Sequence, residues 1–351
     1  MTQNGAGAVS ALVLGAGLAG AAAARALADR GVRVTVIAPD EPAASDVPVA
    51  LAQPVMGKRA GFSHLRFACW ETAHALLKRW DPGQRTWRTI DVFRTPPSER
   101  AHDEWAAKLE GRHPALRRAR ASEGPAGWCP AWSPWRLSGA LLVRPRALRD
   151  LLLRGIERRH ERATIPQSAR DAGVDAVVVA TGAAGLARWA EVASTPDAAP
   201  LWGDAALLRL PHHGLRAVIG VGAQIIPVSD HDLVVQGSHR QPPTAPGVDA
   251  TALQRLLAAQ RAHWPALEQA RLWGAWAGAR ARLDSAHPLV GPIGGGVFLS
   301  TGFGPRGLLY GLPAAESLAG HVVDGAPIEA CWRPRVAPEA TKTTDPLSNR
   351  S

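Results

Sequence analysis

Apolar and polar positions recur along this chain at two periods, and glycine and proline mark where one gives way to the other. Residues 12–14 form a short apolar run. Glycines at 15, 17 and 20 follow, then an alanine-rich stretch and a second apolar run at 34–37. An unbroken apolar run is a strand buried on both faces, and a 3.6-residue period is a helix. Residues 11–40 therefore predict strand, tight turn, helix, strand. Pro42 ends that unit, and a proline- and alanine-rich loop runs to Pro54. Leu65, Cys69, Ala73, Leu76, Leu77 and Trp80 keep helical spacing, so 63–80 is a helix with Ser63 as its cap. The segment 87–93 reads as a strand and 102–109 as a short helix. From 147, Leu148, Leu151, Leu152 and Ile156 mark a helix through ALRDLLLRGIERR. The all-apolar 176–180 predicts a strand of a parallel sheet. Short strands at 216–221 and 233–236 suggest an antiparallel one. A helix at 251–263, capped by Thr251 and stopped by Pro265, precedes a last strand at 297–300. Beyond Cys331 the chain is polar and proline-rich without period, which reads as a flexible tail. No internal repeat is present.

Composition narrows the classes. A chain of 351 residues with 46% hydrophobic content can bury two sizeable cores. No run approaches the roughly 20 apolar residues that span a membrane. The alanine-rich start has no preceding Lys or Arg and is broken by the glycine turn, so it reads as part of the fold and the chain as cytoplasmic. Cys69, Cys129 and Cys331 are far apart and lack zinc or disulfide spacing, so no metal is expected. The net charge of +10 invites a polyanion such as RNA. Lysine, however, stands only at 58, 78, 108 and 342, so 36 of the 40 basic residues are arginine, spread along the chain as a general bias. Oligomeric state is not legible.

Candidate chemistry begins at GxGxxG. Gly15 allows the turn, Gly17 lets a diphosphate approach the backbone, and Gly20 lets helix and strand pack closely. The anion would meet the free N–H groups at about Leu18 to Ala21, Leu18 and Ala19 first. The acidic residue expected after the second strand is displaced, since Ala38 and Pro39 intervene, and Asp40 is the candidate for the ribose. Trp128, Trp132 and Trp135 could stack on a planar substrate or anchor a loop against a sheet.

Further glycine-bearing pieces stand at 177–182 and 302–307. With VTVIAPDEPA (34–43), Pro54 and Lys58, VRPRAL (143–148), VVVATG (177–182), GSHR (237–240), GAR (278–280) with Pro288, Val290 and Gly291, and GPRGLLYGLPAAESLAGHVVDGAPI (304–328), the chain resembles the D-amino-acid-oxidase-like superfamily of FAD-dependent oxidoreductases. Within it, the likeness is to the FAD domain of the bifunctional tRNA 5-methylaminomethyl-2-thiouridine biosynthesis family, over nearly the whole chain.

That resemblance implies an α/β fold: a Rossmann-type FAD-binding domain (8–80, 137–192 and 283–330) interleaved with a smaller α+β substrate domain carrying an antiparallel sheet (81–136 and 193–282), then a tail at 331–351. It implies FAD held by Gly15, Gly17 and Gly20, with Asp40 by the ribose, Thr181 and Gly182 at the adenosine side, and Gly302, Gly304, Arg306, Gly307 and Leu308 along the isoalloxazine. By the same likeness Arg280 grips a substrate carboxylate and Lys58 lies near the flavin N5. A structural Arg280 paired with Asp284 or Glu316, and a surface Lys58, are the competing readings. The implied reaction is oxidation of a C–N bond in an amine bearing a carboxylate, possible substrates being a tRNA wobble-uridine carboxymethylaminomethyl group or a free small amine. A protein that binds FAD or tRNA without turnover is the alternative outside catalysis. Three departures from the family pattern stand out: SDVPVAL at 45–51 where a flavin loop is expected, little more than a turn between Arg158 and Gly173, and Arg282 to Ser285 after the key arginine.

Overall fold

The structure is a computed structural model that describes residues 9–55, 57, 60–186, 198–237, 246–283 and 287–334. Strand β1 (Ser10–Leu14), helix α1 (Leu18–Ala28) and strand β2 (Arg33–Ile37) form the predicted opening unit, with β1 and β2 parallel and Leu12 opposite Thr35. The alanines of α1 give it the small cross-section needed to lie against strand and helix neighbours at once. Ala21 to Ala24, Ala26 and Leu27 are all fully buried.

Two sheets follow. The first has six strands in the order β14 (Leu289–Gly294), β15 (Val297–Thr301), β8 (Ala176–Val179), β1, β2, β7 (Glu157–Arg159). All its pairs are parallel except β14 with β15. Because β2 lies on one side of β1 and β8 on the other, the chain reverses its winding at β1. The carboxyl ends of β1, β2, β8 and β15 open onto one crevice there, the general ligand position in such sheets.

The second sheet has nine strands. Its path is β13 (Arg271–Arg282), β9 (Ala199–Arg209), β12 (Asp232–Gln236), β11 (Ala223–Pro227), β10 (Val218–Val221), β4 (Trp87–Arg94), β6 (Trp135–Val143) and β3 (Ala50–Ala52), with β5 (Leu116–Arg118) also on β6. It is antiparallel apart from the parallel pair β10–β4. By strand count it is the larger sheet, and β3 belongs to it although residue 50 falls in the first segment of the domain division expected from sequence.

The helices are α2 (His64–Trp80), α3 (Glu99–Leu109), α4 (Pro145–Leu152), α5 (Ala250–Arg261) and α6 (Gly307–Asp324). α1 and α2 both pack on α6. Glu316 of α6 ties them together, pairing with Arg30 and Arg79, each at 2.9 Å. α5 covers β9, β11 and β12 over a cluster that includes Trp128, Trp264 and Leu253. Among the described residues no helix is long and apolar enough to cross a membrane.

Several sequence expectations need correction. The helix from 147 starts at Pro145 and stops at Leu152, because Gly155 turns left-handed (φ 74°) and Glu157–Arg159 leaves as edge strand β7. Its apolar period carries on through Ile156, but the glycine wins. α3 begins at Glu99, capped by Ser98 Oγ, which accepts from Ala101 N. The cap of α5 is Asp249, whose carboxylate accepts from Ala252 N at 3.0 Å, and Thr251 is inside the helix. The loop to Pro54 contains β3, and Trp332, placed in the tail, is buried against Tyr310. Residues 335–351 lie outside the described set. Trp128 and Trp135 are core residues, which settles them as packing.

Candidate active site

A cavity of about 1260 Å³ lies between the two sheets. It exceeds the roughly 300–1,000 Å³ typical of drug-sized ligands, which leaves room for a dinucleotide and a substrate together. Its walls come from the carboxyl ends of the parallel strands, the N-termini of α1 and α6, and the face of the nine-stranded sheet.

At the α1 end, Gly15, Gly17, Leu18 and Ala19 line the cavity. Gly15 has φ 108°, and a Cβ there would meet Ala180 O at 2.4 Å. Gly20 does not line the cavity. A Cβ on it would lie 1.9 Å from Gly15 O, so this glycine sets the close approach of helix and turn. The first N–H groups of α1 lack intrahelical partners, and its first turn carries no acid to compete for them. Ser45 Oγ accepts from Leu18 N at 3.3 Å, so the divergent loop still reaches the turn. Val47, Ala50 and Leu51 line the cavity as well.

Thr181 and Gly182 follow β8 into the same wall, and Thr181 Oγ1 is buried without a hydrogen-bond partner among the described residues. The hydroxyls of Ser300 and Thr301 at the end of β15 are equally unpartnered among the described residues, and both residues also line the cavity. Such buried hydroxyls call for a ligand or water acceptor. Asp40 is not brought in. Its carboxylate is exposed and contacts His160 Nδ1 at 2.7 Å, while Glu41, paired with Arg162, lines the cavity instead.

At the other end Gly302, Gly304, Arg306, Gly307 and Leu308, which the resemblance assigns to the isoalloxazine, all line the cavity. Gly302 (φ 77°) and Gly304 (φ 53°) both need the left-handed region. α6 has no side-chain cap and no acid in its first turn, so its positive end is open. From β13 Arg280 lines the sheet wall. Its Nη1 is buried and has no hydrogen-bond partner among the described residues. Burial lowers its pKa and the field of Asp204 opposes that; a guanidinium keeps its charge in proteins in any case. Glu316 is engaged by Arg30 and Arg79, and Asp284 lies outside the described residues. So does Lys58.

Sequence reasoning passed over Gln53, Arg94, Trp105, Trp202 and Trp276, all of which line the cavity. An apolar strand ending in a basic residue, as in WRTIDVFR, was the available signal for Arg94.

Compared with solved structures, the chain is similar to iminodiacetate oxidase from Chelativorans sp. BNC1 (TM-score 0.77, 21% identity, 92% of this chain and 98% of that one). It is also similar to glycine oxidase from Geobacillus kaustophilus (TM-score 0.80, 20% identity, 92% and 97%). These likenesses show the fold. A curated relative, the tRNA 5-methylaminomethyl-2-thiouridine biosynthesis bifunctional protein MnmC of Polaromonas sp. (strain JS666), is 30% identical over 383 residues. That match takes in 89% of this chain but spans only 56% of the relative's length. The family model described as DAO, FAD dependent oxidoreductase, matches residues 10–320, and the chain belongs to that family.

Proposed function

We propose that this protein oxidises a carbon–nitrogen bond in an amine that bears a carboxylate, using FAD. One observation carries the reading: the buried, unpartnered Nη1 of Arg280 lines the same cavity as the two glycine turns that open α1 and α6.

The residues present fit the cofactor. Gly15, Gly17, Leu18 and Ala19 line the cavity at the positive end of α1, whose first turn carries no acid, which suits a diphosphate. Thr181 and Gly182 are assigned to the adenosine side, and Gly302 to Leu308 to the redox ring. Bound there, FAD supplies a two-electron acceptor.

The chain's own contribution is positioning and charge. Arg280 offers a planar fork of donors, which fixes a carboxylate in place and register and so orients the adjacent carbon. The open N-terminus of α6 and Arg306 stabilise negative charge at that end of the cavity. No histidine is among the described lining residues, and the acid among them, Glu41, is held by Arg162. An amine that binds already deprotonated needs no general base, which suits this lining.

Anaerobic mixing of the FAD-loaded protein with small amines tests the reading. Sarcosine and other N-substituted glycines are expected to bleach the flavin, and the same amines without the carboxylate are not. Equal bleaching by both, or by neither, contradicts it.

The narrower substrate, an amine carried on tRNA, is supported by the name of the Polaromonas relative, and the net charge of +10 is compatible with it. Mass spectrometry of tRNA nucleosides from a strain lacking the gene is expected to show carboxymethylaminomethyl uridines accumulating. Unchanged wobble uridines restrict the substrate to free amines.

A further inference from the structure

The cavity face of the nine-stranded sheet carries a single transverse row. In register, Arg94 of β4 stands opposite Gly220, Gly220 opposite Gln224, Gln224 opposite Gln236, Gln236 opposite Ala205, and Ala205 opposite Trp276 of β13. All but Ala205 line the cavity. Arg280 lies four residues beyond Trp276 on the same strand face. Arginines thus stand at both sides of one polar wall, bridged by a glutamine pair with Gln236 Nε2 donating to Gln224 Oε1 at 3.3 Å.

Arg94 is built in. Its Nη1 donates to Val55 O at 2.9 Å and its Nη2 to Gly57 O at 2.8 Å. The guanidinium stacks over Trp105 at 5.0 Å from the ring centroid. Gly220 leaves room for its stem, since a Cβ there would come within 3.3 Å of Arg94 Cγ. Two carbonyls use two of the five N–H donors of a guanidinium. The carbonyls give Arg94 no counter-charge, and the charge that acts on it is the like one of Arg66, whereas Arg280 has the field of Asp204. A desolvated cation is costly without a counter-charge, and a cavity wall is where a ligand can provide one.

We propose that Arg94 forms a second anion subsite in the substrate cavity, so that the substrate is an elongated amine with a further acid group, carboxylate or phosphate, remote from the one Arg280 takes. The five strand steps between β4 and β13 amount to roughly 24 Å of backbone at about 4.8 Å each, shortened by two inward-reaching arginines. A ligand touching both is longer than a bare amino acid. This inference rests on the assignment of Arg280 above.

The test uses the FAD-loaded protein and perturbation of the flavin absorbance by straight-chain acids, succinate through dodecanedioate, against the monocarboxylates of equal length. A chain of matching length is expected to bind about tenfold or more tightly as the dicarboxylate than as the monocarboxylate. Arg94→Met is expected to abolish that difference and leave monocarboxylate affinity unchanged, with Arg94→Lys keeping part of it. Alkyl phosphonocarboxylates of the same lengths, set against the dicarboxylates, identify which acid is preferred. Equal binding of mono- and dicarboxylates at every length in the unaltered protein contradicts the inference alone. So does an Arg94→Met protein that loses both classes equally, as a loop anchor would. Absence of any perturbation by either class contradicts the Arg280 assignment as well.

Discussion

Exchanging Arg280 for methionine is expected to lower kcat/KM for a carboxylate-bearing amine by about a hundredfold or more, while FAD content stays that of the unaltered protein. The magnitude follows from truncating one partner of a buried charged pair, which costs on the order of 2–5 kcal/mol, or roughly thirty- to several-thousand-fold. FAD content is spared because Arg280 sits on β13, in the nine-stranded sheet, and not on either glycine turn. Lysine at this position keeps the charge but loses the planar fork, so partial activity with a raised KM is expected. Amines lacking the carboxylate should be processed equally poorly by both proteins. Steady-state kinetics on the two amine classes, alongside flavin absorbance, check the prediction. An unchanged kcat/KM in Arg280→Met would remove the carboxylate from the account.

Gly20→Ala is expected to abolish FAD retention and to destabilise the fold by about 3 kcal/mol or more, the scale of overpacking at a site that cannot relax. The added methyl would stand 1.9 Å from Gly15 O and 3.0 Å from Gly15 C. Those are backbone atoms of a turn already at φ 108° and pressed against Ala180. Relief requires α1 to move off β1, which opens the cradle. Gly311→Ala on α6 is the contrast, since nothing beyond its own stretch of helix backbone lies within 4 Å of its added methyl. It should be neutral or stabilising by about 0.5–1 kcal/mol, as expected when alanine replaces a helical glycine. Denaturant unfolding and flavin absorbance of the two variants read both effects. Full FAD content in Gly20→Ala would show that the close approach does not matter.

The parts of the fold that could be read from sequence are those whose local signal and tertiary fate agree. β1, α1 and β2 announce themselves because a buried parallel strand is apolar throughout and a close helix–strand turn admits only glycine at 15 and 20. α2 is legible because its apolar period and its cap, Ser63 accepting from Arg66 N, mark the same start. Where signals conflict, the sequence misleads. The period of Leu148, Leu151, Leu152 and Ile156 continues past Gly155, yet the backbone there turns left-handed and becomes β7. Asp249 and Thr251 are both plausible caps two residues apart, and only the hydrogen bond to Ala252 N decides. β13, RLWGAWAGARAR, has no β-branched residue and is a strand because β9 pairs with it along its length. Within the site, the glycine turns were visible as spacing. Arg94 and Gln53 were not, because their importance arises from cavity walls assembled by strands distant in sequence. Asp40 was the opposite case, a residue in the expected place whose side chain turns outward to His160.

In the proposed function, the turns opening α1 and α6, separated by almost the whole chain, hold the two ends of one FAD molecule in a single cavity. Titrating flavin-free protein with FAD and with FMN, and following flavin fluorescence, tests it most directly. FAD is expected to bind about a hundredfold or more tightly than FMN, because only FAD offers the adenosine diphosphate proposed to lie at the α1 turn and Thr181. Equal affinity for the two, or no binding of either, would contradict it.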